Sequence, residues 1–116
     1  LPIVLNGWIF SWWGIYDYFL VTNNLEIKAI MDGSLDTLVR YLPKFSNGYW
    51  SMYDINGKIT SPFYHNLHIA QMKAMYALTQ IPEFDIYAKK WEKEQSNALF
   101  KSIAFIKKSF QKIIER

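Results

Sequence analysis

The chain has 116 residues, the length of one domain, and 51% of them are apolar while 18% are aromatic. This composition is typical of a folded domain and excludes an intrinsically disordered chain. The absence of cysteine excludes disulfides and thiolate metal sites but leaves the compartment open, and a net charge of +3 is too small to favour nucleic-acid binding.

The first predicted helix spans residues 4–22 and is apolar on nearly every face, with no charge before Asp17. Small and polar residues interrupt it, no basic segment precedes it, and no cleavage pattern follows, so we predict no membrane insertion and no signal peptide. A helix that is apolar all round is normally enclosed by others, and we expect this one to be buried. Because the chain begins with Leu1, we expect a fragment or a processed product.

The second helix is predicted to begin with a capping box formed by Asn23 and Glu26 and to stop at Pro43. The periodicity then changes, and residues 49–61 predict a short β-hairpin. Its two-residue turn is Asn56-Gly57, a strong signal for a type I′ turn.

Three more helices are predicted after the hairpin. The third spans residues 64–79, the fourth begins at Pro82, and a break near Asn97 separates the fourth from the last. The last helix has an apolar side and several lysines elsewhere, including Lys101, Lys108 and Lys112. The whole positive excess of the chain follows residue 81, which points weakly to a polyanionic partner. We predict a single all-α domain, residues 1–116, built as an array of helical hairpins with one short β-hairpin.

Residues 48–71 concentrate the side chains that could carry chemistry. Tyr53 and Tyr64 are the candidates for proton transfer. A phenol has an ordinary pKa near 10, so a tyrosine base must be ionised by nearby cations or hydrogen bonds, and it then suits a carbon acid such as the proton α to a carboxylate. Packing is the more common role of tyrosines in a domain this rich in aromatic residues.

His65, His68 and Gln71 share one face of the third helix. No acidic residue or cysteine stands at ligand spacing beside the histidines, so we predict no metal and no cofactor. The two histidines could hydrogen-bond a substrate carboxylate or hydroxyl, or they could be structural histidines near a helix start. Trp50, with neighbouring aromatic residues, could form a stacking surface for a sugar.

Four segments occur in a distinctive order: LNGWIFSWWGIYDYFLVT, YLPKFSNGYWSMYD, FYHNLHIAQM and YAKKWEK. Through them, over roughly residues 5–93, the chain resembles the carboxy-terminal domain of the D-glucuronyl C5-epimerases. The resemblance implies an α/α-toroid whose inner helices line a cleft for an acidic, uronate-containing polysaccharide. It also implies an isomerase that inverts C5 of glucuronate in heparosan- or heparan-like chains. Tyr53 matches the tyrosine of the family's YD turn and Tyr64 that of its YH-x-x-H motif, and both are implicated in proton transfer there. His65, His68 and Gln71 would then position or polarise the uronate, and we expect Trp50, Asn56 and Lys58 to contact the substrate as well.

The chain departs from the family pattern in two ways. Asn56 stands where the vertebrate-type pattern has an arginine, so the resemblance leaves Lys58, His65 or His68, or a group outside the chain, to bind the carboxylate. The family's upstream Glu-Tyr pair and its β-rich amino-terminal regions lie outside this sequence. We therefore expect a partial site, and a domain that packs on those regions or forms a homo-oligomer.

Two other functions stay open at this point. A uronate polysaccharide lyase would use the same removal of the C5 proton but would then expel the group at C4. A non-catalytic helical domain could bind an acidic glycan or pack on a partner without moving any proton.

Overall fold

A computed structural model describes residues 3–115, and within that range the chain forms five α-helices. The helices are α1 (Leu5–Thr22), α2 (Leu25–Tyr41), α3 (Pro62–Thr79), α4 (Pro82–Ser96) and α5 (Ala98–Ile114), and a 3₁₀ helix (Leu42–Phe45) follows α2. Helix α3 is central, because it packs against α1, α4 and α5. The predicted all-α class is confirmed.

The helix ends follow the capping signals, with one correction. Asn24, rather than Asn23, caps α2, since its side chain accepts the N–H groups of Glu26 and Ile27. Asn23 instead ends α1 in the left-handed conformation, with φ of 52°, which an asparagine tolerates better than most residues. Pro82 begins α4 and Asn97 caps α5, as predicted.

The predicted β-hairpin is wrong. Among the described residues, the segment 49–61 forms isolated β-bridges, such as the one between Met52 and Ile59, and no continuous β-ladder. A type I′ turn needs positive φ at both central residues, but here Gly57 has φ of 93° while Asn56 does not enter that region. The Asp54 carboxylate instead accepts the N–H groups of Asn56 and Lys58 and closes a side-chain turn.

Two groups of buried side chains hold the chain together. The larger lies among α1–α4 and includes Trp12, Phe84 and Trp91. The smaller is formed by Trp50, Met52, Ile59 and Ala104, so the connection between the 3₁₀ helix and α3 is packed against α5. This second group determines where the segment predicted as a hairpin lies.

Helix α1 is not enclosed as predicted. Leu5, Ile9 and Trp12 are buried, but Val21 is 83% exposed and other apolar residues of the helix are exposed too. The reason is that α1 packs mainly against α2 and α3, which cover one side of it. The apolar side of α5 is likewise exposed, for example at Phe110. Among the described residues, no helix combines the length and the apolar character needed to cross a bilayer.

Candidate active site

The segment that carries the site begins with a tight turn after the 3₁₀ helix. The Asn47 side chain accepts the N–H groups of Tyr49 and Trp50, at 3.1 and 2.9 Å. Gly48 lies between Asn47 and Tyr49 and has a φ of 98°, a conformation that glycine adopts without a Cβ clash. The turn directs Trp50 into the interior, where its indole N–H donates to the carbonyl of Thr60 at 3.0 Å.

Trp50 and His65 form the centre of this interior. Their rings stack with centroids 3.8 Å apart and planes 14° from parallel, and neither side chain has exposed surface. Stacking fixes the position of the segment relative to the first turn of α3, where His65 lies. Both residues were predicted as substrate ligands, and in this structure both are packed in the core.

The hydrogen bonds of His65 determine its tautomer. The backbone N–H of Ser51 donates to Nδ1 at 3.1 Å, so Nδ1 is an acceptor. The proton is therefore on Nε2, which donates to the carbonyl of Trp91 at 2.8 Å. Ser51 Oγ also lies 2.9 Å from His65 Nδ1 and 3.0 Å from His68 Nδ1. A buried serine thus links the two histidines of α3.

Both histidines are neutral near pH 7. Burial lowers the pKa of His65 to about 4, and although the bond to the Trp91 carbonyl opposes this effect, the charge of Lys90 adds to it. Burial, together with His65, lowers the pKa of His68 to about 3. A neutral imidazole supplies no positive charge to a substrate carboxylate. Among residues 3–115, no three histidine, cysteine or acidic side chains cluster as a metal site would require.

Gln71 also lies in the interior. It is 1% exposed, and its amide nitrogen donates to the carbonyl of Asn6 at 3.2 Å, which joins α3 to α1. Substrate contacts were predicted for four side chains that have almost no exposed surface in this chain: Trp50, His65, His68 and Gln71. These contacts stay predictions.

Tyr53 and Tyr64, by contrast, meet at the surface. Their rings are in edge contact, with centroids 5.6 Å apart and planes at 78°. They line a cavity of about 220 Å³, and Tyr64 is 38% exposed. The remaining lining residues are one hydroxyl and three cations: Ser61, Lys58, Lys108 and Lys112. The structure therefore brings the two predicted proton-transfer residues together.

The side-chain turn closed by Asp54 positions Tyr53 and Lys58. The N–H of Tyr53 donates to the carbonyl of Lys58 at 2.7 Å, while its own carbonyl accepts the N–H of Leu5 at 3.1 Å. Lys58 Nζ lies 5.4 Å from the centroid of the Tyr53 ring. Asn56 is not among the residues that line this cavity; it lines a neighbouring hollow together with Gly57, Lys58 and residues of α5.

Sequence reasoning missed the contribution of α5 to the cavity. Gln111 of α5 accepts the N–H of Ile59 and donates to the carbonyl of Gly57, both at 3.0 Å. These bonds bring Lys108 and Lys112 to the tyrosines. The one signal in the sequence was the positive excess of the last helix, and it did not show which lysines would face the site.

The cavity is a concentrated positive site beside two phenols. Burial lowers the pKa of the Lys108 ammonium, and the charges of Lys58 and Lys112 add to this effect, while Glu115 and Asp54 oppose it. Cations that crowd a partly buried site favour a bound anion, and phenols can exchange protons with it. The arrangement is suited to an acidic substrate with a removable proton.

Comparisons with known proteins bear on the resemblance. The sequence profile of the family described as D-glucuronyl C5-epimerase C-terminus matches residues 2–93 and confirms it. The chain is also 33% identical over 90 residues to the uncharacterized protein MJ1128 of Methanocaldococcus jannaschii. That match covers 78% of this chain but 29% of the relative, so the matched part spans less than a third of the relative's length. No solved structure matches the chain.

Proposed function

The chain belongs to the D-glucuronyl C5-epimerase C-terminal family, and from this premise we propose that it carries part of an active site that epimerises C5 of glucuronate in an acidic polysaccharide. The observation that carries the proposal is the meeting of Tyr53 and Tyr64 in one cavity lined by lysines. We further propose that the helices form part of an α/α-toroid in the whole protein, and that the enzyme is an isomerase acting on heparosan- or heparan-like chains.

The proposed chemistry follows from the acidity of C5. Its proton is α to the carboxylate, and when it leaves, negative charge moves onto the carboxylate oxygens. A cation at those oxygens lowers the barrier, because the charge grows in the transition state. Tyr53 or Tyr64 removes the proton as a phenolate, and a second acid returns a proton to the opposite face of the ring. Three lysines line this cavity, and Lys58 is the one that was predicted from the sequence to stabilise the carboxylate.

The contact between the two tyrosine rings constrains this scheme. With centroids 5.6 Å apart, the rings leave no space for a sugar between them. Proton exchange at both faces therefore requires the rings to separate, or a second base from a part of the protein outside this chain, such as the family's Glu-Tyr pair. In either case Tyr53 and Tyr64 approach the substrate from the same cavity.

Buried residues next to the cavity hold the elements that carry the two tyrosines. Trp50, His65 and His68 fix the first turn of α3 to the preceding segment, and the same turn carries Tyr64. We propose that they position the tyrosines and that Gln71, which joins α3 to α1, contributes to the same positioning. The backbone N–H of Asn56 donates to the Asp54 carboxylate, which closes the turn that holds Tyr53 and Lys58.

Solvent-deuterium exchange tests the proposed activity. Full-length protein is incubated with heparosan in D₂O, and label at C5 is read by mass spectrometry and NMR. We expect incorporation with the wild type and a loss of about 100-fold or more in Tyr53→Phe or Tyr64→Phe, the scale of one general acid or base. Tyr18→Phe, an exposed tyrosine of α1, is the matched control and should exchange normally. Equal exchange in all three variants would contradict the assignment.

The ring contact also favours a second candidate, a uronate lyase. Elimination removes the C5 proton and breaks the C4–O bond, so it needs no proton return to the opposite face, and one cavity suffices. An unsaturated product that absorbs in the ultraviolet would identify this activity in the same incubation. Glycan binding with neither exchange nor unsaturation would identify a non-catalytic domain.

The exposed apolar sides of α1 and α5 support the prediction that this domain packs on the rest of its protein or on another copy. Light scattering on the isolated chain tests the second possibility, since self-association gives a mass above that of one chain. A monomer at all concentrations would leave packing within the whole protein as the proposal.

A further inference from the structure

Helix α5 contributes to the cavity although it lies beyond the residues that match the family profile. The match ends at residue 93, whereas α5 begins at Ala98. The helix is nevertheless fixed firmly to the site. Ala104 is fully buried against the Trp50 group, and Gln111 exchanges two hydrogen bonds with the turn that precedes α3. The position of its lysines is therefore set by tertiary contacts.

Lys108 and Lys112 are four residues apart, so they lie on the same side of α5, one turn from each other. Both line the cavity that holds Tyr53 and Tyr64. Like charges at this spacing repel, and a third cation, Lys58, lines the same cavity. The chain thus concentrates positive charge at one place at a cost in stability.

The three lysines are not equally neutralised. Lys58 Nζ lies 3.2 Å from Glu115 Oε1, which compensates its charge. Among residues 3–115, neither Lys108 nor Lys112 forms an ion pair. Lys108 is also half-buried, so water screens its charge less than that of an exposed lysine. Among the described residues, the cavity's two lysines without an ion-pair partner both belong to α5.

We propose that Lys108 and Lys112 bind the carboxylate of the uronate and hold it beside Tyr53 and Tyr64. The inference rests on the proposed function for the identity of the sugar, but the anion site itself rests on the cavity. Asn56, by contrast, lines a neighbouring hollow and not the cavity of the tyrosines. Two lysines from a later helix thus supply the positive charge at the tyrosines.

Binding of defined oligosaccharides tests the proposal in the full-length protein. The probe is an unsulfated oligosaccharide of glucuronate and N-acetylglucosamine, and its carboxyl-reduced form, in which the charge is absent, is the reference. The test variant is Lys108→Gln with Lys112→Gln. The matched control is Lys101→Gln with Lys107→Gln, which removes the same charge from exposed positions of the same helix.

We expect the test variant to bind the charged probe about tenfold more weakly or worse, since charge-assisted hydrogen bonds are lost. The control variant should lose less than threefold, and the reduced probe should bind all proteins equally. Equal losses in the two variants, or none in the test variant, would overturn the proposal. A sulfated probe with reduced carboxyls, bound as tightly as the charged probe, would replace the carboxylate by a sulfate as the ligand.

Two further readouts separate this inference from the proposed activity. Lys108→Arg with Lys112→Arg should retain binding, because the charge stays. Without ligand, the Gln variant should melt at the same or a higher temperature than the wild type, since a repulsion is removed. A lower melting temperature would indicate that the lysines are structural and would count against the proposal.

If binding depends on the lysines but the wild type exchanges no deuterium, the anion site stands and the epimerase assignment fails. If exchange is normal in the Gln variant, the inference fails alone.

Discussion

Two neighbouring residues of one motif, Tyr64 and His65, have opposite environments. Tyr64 is 38% exposed in a cavity lined by lysines, while His65 has no exposed surface and stacks on Trp50. Successive side chains of an α-helix point about 100° apart, so a motif that is continuous in sequence is divided between two faces. The YH-x-x-H pattern thus combines a surface tyrosine that can contact a substrate with interior histidines that hold this tyrosine in place.

The largest test of this comparison is to remove the interior side. Trp50→Ala deletes a fully buried ring that stacks on His65 and leaves the Thr60 carbonyl without its donor. We expect a loss of about 3–5 kcal/mol in the free energy of unfolding, measured by urea denaturation. Tyr64→Phe, on the surface side, should change it by less than about 0.5 kcal/mol. Similar losses in both variants would remove the distinction between the two faces.

A second test uses pH. The folded-state pKa values of His65 and His68 lie below the ordinary 6.5, so the neutral forms are favoured by folding. Stability is then fully present above pH 6.5 and falls as the pH falls toward about 4 and 3, because the unfolded chain binds the protons first. Each histidine contributes a slope of up to about 1.4 kcal/mol per pH unit in this window.

The measurement is urea unfolding between pH 7.5 and 4.5 for the wild type and His68→Gln. We expect the variant to be less stable at pH 7.5 but to have a flatter profile, and the difference cancels the carboxylates that titrate in both proteins. If the pH profile of the variant's unfolding free energy is parallel to that of the wild type, His68 is not a buried, neutral histidine. Tyr64→Phe again provides the surface control, with an unchanged profile.

The smallest effect concerns the link between the two sides, which is α5. Gln111→Ala removes the acceptor of the Ile59 N–H and the donor to the Gly57 carbonyl. We expect a loss of about 1–2 kcal/mol in stability. Hydrogen exchange should quicken at the Ile59 amide but not at the Met52 amide, whose acceptor is the carbonyl of Phe45. Lys107→Ala, on the same helix, should alter neither amide. Unchanged exchange at Ile59 would mean that α5 does not hold the turn.

The helices were predictable because their signals are local. Pro82 and Asn97 mark helix starts through the backbone of their own neighbours, and both predictions held. The hairpin prediction was wrong because the backbone N–H groups of this segment find other hydrogen-bond acceptors than an opposite strand. Ile59 donates its N–H to Gln111, 52 residues away, and the Asp54 side chain captures the turn amides. A turn prediction that uses only the Asn-Gly dipeptide does not take such alternative acceptors into account.

The same division applies to the candidate site. Residue identity and order along the chain were enough to predict the family and the all-α class, and they singled out Tyr53 and Tyr64 as candidates for proton transfer. The burial of Trp50 and His65 in the interior, and the approach of Lys108 and Lys112 to the tyrosines, became visible in the folded chain. Burial and charge proximity depend on which side of a helix faces another element. That orientation is fixed by packing between distant segments, here by Ala104 and Gln111 of α5 against the segment before α3.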